Sequence, residues 1–242
     1  MNKTILITGS ASGIGKATAM LFAQNNYNVF MVDIDENNNA NVSEEINKNC
    51  GKSFAFTADV RIESEVSVAV AKCIENFDSL DCAFNNAGIV ISKNTVDCTE
   101  DIWDKVINTN LKGYWLCMKH ELLQMQKQGF GNIVNTSSIS GIIARAGDTP
   151  YNVSKFGIIG LTRTAALENA DKNIKINCIC PGAVQTPWVK RVTKGLNNLQ
   201  PMGRIAQPEE IAQAVLWLCS ENNTFMTGQA LVLDGGRIAG EW

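Results

Sequence analysis

Apolar and β-branched residues gather in short runs at 3–8, 28–32, 53–57, 80–85, 132–136, 174–179 and 230–233. Between most of these runs lie longer segments whose apolar residues recur three and four apart, such as Ile14, Ala17, Leu21 and Phe22, or Val66, Val70 and Ile74. The first pattern predicts buried strands and the second predicts helices with one apolar face. Strands that alternate with helices imply right-handed crossovers and a parallel sheet covered on both faces. The predicted fold is α/β, a Rossmann-like doubly wound sheet of about seven strands, with residues 1–242 forming a single domain.

Two helical segments are apolar on more than one side. Segment 149–170 carries Val153, Phe156, Ile158, Ile159, Leu161, Ala165, Ala166 and Leu167; segment 102–125, more weakly, carries Trp103, Val106, Ile107, Leu111, Trp115, Leu116, Leu122 and Leu123. A helix apolar on several sides must be covered on several sides, so these two predict a subunit interface. Residues 37–41 are Asn-rich and read as a solvated connection. The long stretch 187–207 has no clear periodicity and is expected to be a substrate loop within the domain.

Composition narrows the partners. The chain has 242 residues, 45% of them hydrophobic and 19% charged, enough for one sizeable core. A net charge of −3 leaves no basic surplus for a phosphate backbone or an anionic membrane, which argues against nucleic acid and membrane partners and for a small molecule. No run approaches the roughly 18 apolar residues of a membrane span, and residues 1–7 do not read as a secretory signal. The eight cysteines are scattered singly, as suits reduced thiols in a cytoplasmic protein. Cys178 and Cys180 alternate within a strand pattern and no second ligand pair accompanies them, so no metal site is expected.

Three features carry chemistry. The turn Thr8-Gly9-Ser10-Ala11-Ser12-Gly13-Ile14-Gly15 follows the first strand and opens the first helix. Glycines there permit a tight turn and close backbone approach to a pyrophosphate, whose charge is favoured by the helix start. Asp33 follows the second strand, where a carboxylate can accept bonds from ribose hydroxyls and repel a 2′-phosphate. This favours NAD over NADP, although an acidic residue there, like Asp35, could instead cap the next helix. Tyr151 and Lys155 are four apart in a helical segment and share a face. A nearby ammonium stabilises phenolate, so the pair predicts a Tyr151 acidified by about two to three units from a pKa of about 10, with an oxidised nicotinamide contributing.

Several separate motifs, in order and spacing, resemble the short-chain dehydrogenase/reductase family along the whole chain. They are the Gly-rich turn, Asp59-Val60 after the third strand, Asn85-Asn86-Ala87-Gly88 after the fourth, Asn110 in Asn-Thr-Asn-Leu-Lys-Gly, Ser138 thirteen residues before Tyr151, and Pro181-Gly182-Ala183-Val184-Gln185-Thr186. The resemblance implies a cofactor site formed by Gly9, Ser12, Gly13, Ile14, Gly15, Asp33, Asp59, Val60, Asn86, Ala87, Gly88, Tyr151, Lys155, Val184 and Thr186. It implies catalysis by Asn110, Ser138, Tyr151 and Lys155, with Ser138 bonding the substrate oxygen, Tyr151 exchanging its proton, and Asn110 holding a water that relays protons from Lys155. It further implies a homotetramer.

The expected activity is NAD(H)-dependent hydride transfer to or from a small alcohol or ketone. Two rival readings are an NADPH-dependent 3-oxoacyl carrier-protein reductase and a noncatalytic NAD-binding regulator or scaffold. The substrate is expected to meet residues after Ser138, including Ile142, Ile143, Ala144, Ala146 and Gly147, with Arg145 and Lys190 as possible anion partners. Trp188 is a candidate pocket wall and Trp242 a candidate interface anchor; His120 is expected to be a solvated or interface residue without a catalytic part.

Overall fold

The computed structural model describes residues 2–187 and 200–240. Seven strands form one parallel sheet: β1 (Thr4–Thr8), β2 (Asn28–Asp33), β3 (Lys52–Thr57), β4 (Cys82–Asn85), β5 (Gly131–Thr136), β6 (Ile174–Pro181) and β7 (Ala230–Leu233). Their order is β3-β2-β1-β4-β5-β6-β7, so the direction of winding reverses between β1 and β4. In register, Ile5 pairs with both Val29 and Cys82, which makes β1 the strand shared by the two halves.

The strands alternate side chains between two cores, as pleating requires. Ile5 and Ile7 face a core with Phe22, Met31, Ile46, Val215 and Leu218, whereas Leu6 faces one with Phe30, Ala69, Met118, Ile133 and Ile176. The covering helices are α1 (Gly13–Gln24), α2 (Glu36–Asn49), α3 (Glu63–Phe77), α4 (Glu100–Ile107), α5 (Gly113–Gln128), α6 (Thr149–Asn169) and α7 (Pro208–Cys219). None of the described helices is long and apolar enough to cross a membrane. All eight cysteines are free, and no cluster of potential metal ligands occurs among the described residues.

Residues 37–41 are not a solvated connection but the first turns of α2, where Asn39 is buried and donates to the Met31 carbonyl. One expected helix is interrupted. The apolar spacing over 102–125 reads as continuous, yet a π-helical turn at Asn108–Lys112 separates α4 from α5. The wider turn places Asn110 fully inside, where its side-chain amide meets the backbone of Ile89. Such bulges concentrate at functional sites.

The two helices expected at an interface do leave apolar side chains outside. Trp115 and Leu123 on α5, and Val153, Phe156 and Leu167 on α6, are exposed. His120, in contrast, is mostly covered, with Nε2 3.4 Å from Glu63 Oε1, because α5 packs against the start of α3.

Candidate active site

At the carboxyl ends of β1 and β4, where the winding reverses, the departing loops leave two joined cavities of about 630 and 400 Å³. Open α/β sheets bind ligands at such a switch point. Ile14, Asn86, Gly88, Ile89 and Thr186 border both cavities and so form the waist between them.

The larger cavity is built on the Gly-rich turn. Gly9 has φ +67°, and a Cβ there would lie 2.8 Å from Ala87 Cα, so only glycine lets the turn pass beneath the loop leaving β4. Thr8 ties the two loops together, its hydroxyl accepting from the backbone N–H of Asn86 (3.0 Å) and Ala87 (3.2 Å). Gly15 lines neither cavity; a Cβ on it would strike the Gly9 carbonyl, so it serves the packing of α1 on the turn. Ser12 precedes α1 without a side-chain cap bond, and the first turn holds no acidic residue. The helix start therefore keeps free N–H groups and its positive end for an anion.

Asp33 borders this cavity with both carboxylate oxygens positioned: Oδ2 accepts from Ala11 N and Oδ1 from Asp35 N, each at 2.9 Å. The helix-cap role falls to Asp35, whose side chain accepts from Asn38 N. Asp33 is thus free of capping and aimed along the cavity edge.

At the far side, Asp59 and Val60 line the wall. Arg61 folds back to donate to both Asp59 oxygens, and that hydrogen bond holds the Asp59 carboxyl below the usual carboxylate range. Arg61 and Lys105 are two further cations of this cavity, beyond the positions that the motifs mark. Arg61 directly follows the Asp59-Val60 motif and was within its reach. Lys105, from α4, arrives only through the tertiary fold.

The smaller cavity gathers Ser138, Tyr151, Lys155, Val184 and Thr186, together with Ile89 and Val90 just beyond the Asn86-Ala87-Gly88 motif. Ser138 caps a 3₁₀ turn after β5, its Oγ accepting from Ser140 N at 3.1 Å, which leaves its own proton to donate. Tyr151 and Lys155 lie on the first turns of α6, which Pro150 helps to start. Lys155 Nζ donates to the Thr136 carbonyl (2.8 Å), and Ser137 Oγ donates to the Lys155 carbonyl (2.8 Å), pinning α6 to the end of β5. Val184 and Thr186 follow β6 and are braced by Gln185 N bonding the Ala206 carbonyl at 2.8 Å.

Two features go beyond what the sequence pattern displays. Without a nicotinamide beside it, burial pushes the Tyr151 phenol up to about 12, with the Ser138 hydroxyl opposing and Asp148 adding to the rise, so any acidification has to come from Lys155 and the oxidised ring acting together. Burial also pushes Lys155 down to about 7, so the lysine is itself only partly charged near neutrality. Helical spacing places the pair on one face, but the lysine tip turns to Thr136 and lies 5.6 Å from the Tyr151 ring centre. Secondly, Asn110 lines neither cavity. Its Oδ1 accepts from Ile89 N and its Nδ2 donates to the Ile89 carbonyl, both at 2.8 Å, so its side chain fixes the waist of the cleft and a relay water would fall to its backbone carbonyl.

Ile142 and Ile143 are partly exposed and border neither cavity, while Arg145 Nε lies 3.7 Å from Asp148 Oδ2. Trp188, Lys190 and Trp242, with most of 187–207, lie outside the described residues.

A glycine turn at the switch point of a parallel sheet, with serine, tyrosine and lysine at the other end of one cleft, is the layout of a Rossmann-type oxidoreductase. Comparison with known proteins makes the class specific. The sequence model of the family described as Enoyl-(Acyl carrier protein) reductase matches residues 9–237. The chain is 38% identical to the 3-oxoacyl-[acyl-carrier-protein] reductase FabG of Thermotoga maritima over 240 residues, 98% of each chain. It is 40% identical to the cyclohexanol dehydrogenase of an Acinetobacter species, covering 97% of this chain and 94% of that one. The crystal structure of levodione reductase superposes with a TM-score of 0.95 at 32% identity, over 99% of this chain and 98% of the other. The chain belongs to the short-chain dehydrogenase/reductase family of oxidoreductases.

Proposed function

We propose that this protein is an NAD(H)-dependent dehydrogenase/reductase of a small alcohol or ketone, with Tyr151 as its acid and base. The observation that carries the reading is the convergence of Ser138, Tyr151 and Lys155 on the smaller cavity, joined through a glycine-edged waist to a larger cavity bordered by Asp33. The residues fit a dinucleotide. The uncapped start of α1 suits its pyrophosphate, Asp33 its adenosine ribose, Asp59 and Val60 its adenine, and Val184 and Thr186 its carboxamide.

When bound, the nicotinamide supplies or accepts the hydride. Ser138 donates its free hydroxyl proton to the substrate oxygen. Tyr151 gives a proton to the same oxygen during reduction and takes it back during oxidation. With its phenol pushed up to about 12, Tyr151 is protonated at neutral pH and ready as the acid of the reductive direction. Lys155, fixed on Thr136, has further N–H groups to offer a ribose. Asn110 keeps Ile89 in place at the waist.

The preference for NAD rests on charge. A 2′-phosphate carries about −1.5 to −2. Beside Asp33, even in a waterlike dielectric, about 1 kcal/mol per charge pair at 4 Å gives roughly 1.5 to 2 kcal/mol, or more than tenfold discrimination. The 3-oxoacyl reductase named among the relatives favours a second reading, in which the substrate is an acyl thioester. Measuring kcat/KM with NADH and NADPH on a panel of cyclic ketones, linear ketones and 3-oxoacyl thioesters separates the two readings. Equal or better turnover with NADPH overturns the cofactor assignment.

The exposed apolar side chains of α5 and α6 support a homotetramer built partly on those helices. The free cysteines suit a cytoplasmic protein.

A further inference from the structure

Tyr114 lies on α5 one turn beyond Asn110 and is buried to within 2% of its surface. Its hydroxyl makes no hydrogen bond with a described residue, and nothing in the proposed chemistry uses it. Its ring, however, stands 5.3 Å from Lys155 Nζ, while the Tyr151 ring stands 5.6 Å from the same nitrogen. Both separations are within cation–π range. The π-helical turn before α5 is what brings this face of the helix against α6, as the contact of Asn110 Nδ2 with Ser154 Oγ at 3.4 Å also records.

We propose that Tyr114 is a positioning residue for Lys155, its ring forming with that of Tyr151 a two-sided aromatic clamp that holds the ammonium on the cleft floor and favours its charged form. This deepens the function proposed above and rests on it for its catalytic meaning. The surroundings leave the rings a large share of the task. Among the described residues Lys155 donates to one oxygen, the neutral Thr136 carbonyl. The titratable groups facing Lys155 are Tyr151 on its own helix, Tyr114 on α5, and Cys178 and Cys180 on β6; none is a carboxylate. Burial pushes the Tyr114 phenol far above its ordinary range, so it meets the ammonium as a neutral, electron-rich ring. The same burial pulls Lys155 down, to about 7, and a ring face opposes that loss of charge.

The test is an NMR titration of Lys155 in the full, cofactor-free protein, with the resonance assigned through Lys155→Arg. Position 114 carries phenylalanine and then its mono-, di- and trifluorinated forms, which drain the ring face at nearly constant volume. Tyr114→Leu, checked for folding by its thermal transition, removes the ring. The clamp predicts a Lys155 midpoint nearly unchanged with phenylalanine, falling stepwise with fluorination, and about one unit lower with leucine, equivalent to about 1.36 kcal/mol. A midpoint that stays constant across the fluorinated series overturns the proposal, whatever the leucine variant does. Because no cofactor or substrate is present, a protein without any hydride-transfer activity would refute the proposed function and leave this titration as decisive as before.

Discussion

Glu121 offers a prediction whose size follows from its surroundings. It lies on α5 with no exposed surface, and its Oε2 accepts from Asn85 Nδ2 at 2.9 Å while Oε1 has no partner among the described residues. Asn85 in turn donates to Asn135 Oδ1, and Asn135 to Thr162, so the carboxyl ends a polar chain through β4, β5 and α6. Burial raises its pKa from 4.5 to about 7, with the Asn85 bond opposing. The folded state therefore holds this proton more tightly than the unfolded state. The contribution is complete below pH 4.5 and is lost as pH rises through 7. A difference of about 2.5 units amounts to roughly 3 kcal/mol. Glu121→Gln is always neutral and should escape the loss, matching the native protein near pH 4.5 and exceeding it by roughly 6 to 12 °C in Tm above pH 8. Calorimetry of both proteins at equal concentration from pH 4.5 to 9 measures the difference. A Tm difference that does not grow with pH would refute the argument.

Four further outcomes are expected. Tyr151→Phe should cut kcat by about 10²-fold or more while the Kd for NADH, read by fluorescence, changes little; retention of a tenth of the activity would remove Tyr151 from the chemistry. Since the phenol is pushed up to about 12, oxidation should climb on the alkaline side of neutrality, and an oxidative rate that falls steadily from pH 8 to 10 would contradict this. Gly9→Ala places a side chain against Ala87 at a positive φ and should abolish measurable dinucleotide binding by calorimetry, with unchanged affinity counting against the site. Light scattering should give four times the 26.3 kDa chain mass, and a value near one chain mass would exclude the interface assigned to α5 and α6.

Much of this is legible in the sequence. The strand runs and the glycine turn are local signals, and they placed β1, β2 and the start of α1 nearly residue for residue. Fourteen of the fifteen cofactor positions border the two cavities, the exception being Gly15, because family motifs cluster on loops at one end of the sheet. What escaped was set by three-dimensional surroundings. The π-helical turn leaves the apolar period almost intact, so nothing in the pattern marks it. The pKa of Tyr151 depends on burial more than on a neighbour four residues away, and sequence spacing reports only the neighbour. Lys105 reaches the cleft, and Tyr114 the tip of Lys155 behind it, from helices whose packing the sequence does not display.

The central claim is hydride transfer between nicotinamide and a carbonyl carbon under the control of Tyr151. It is tested most directly by incubating the protein with NADH carrying deuterium at both C4 positions and a panel of small ketones, then weighing the alcohols formed. The account predicts one deuterium per product molecule from the native protein with at least one ketone, formed about 10²-fold or more slowly by Tyr151→Phe. A native protein that binds NADH yet delivers deuterium to no ketone, or a Tyr151→Phe protein that delivers it at the native rate, would contradict the account.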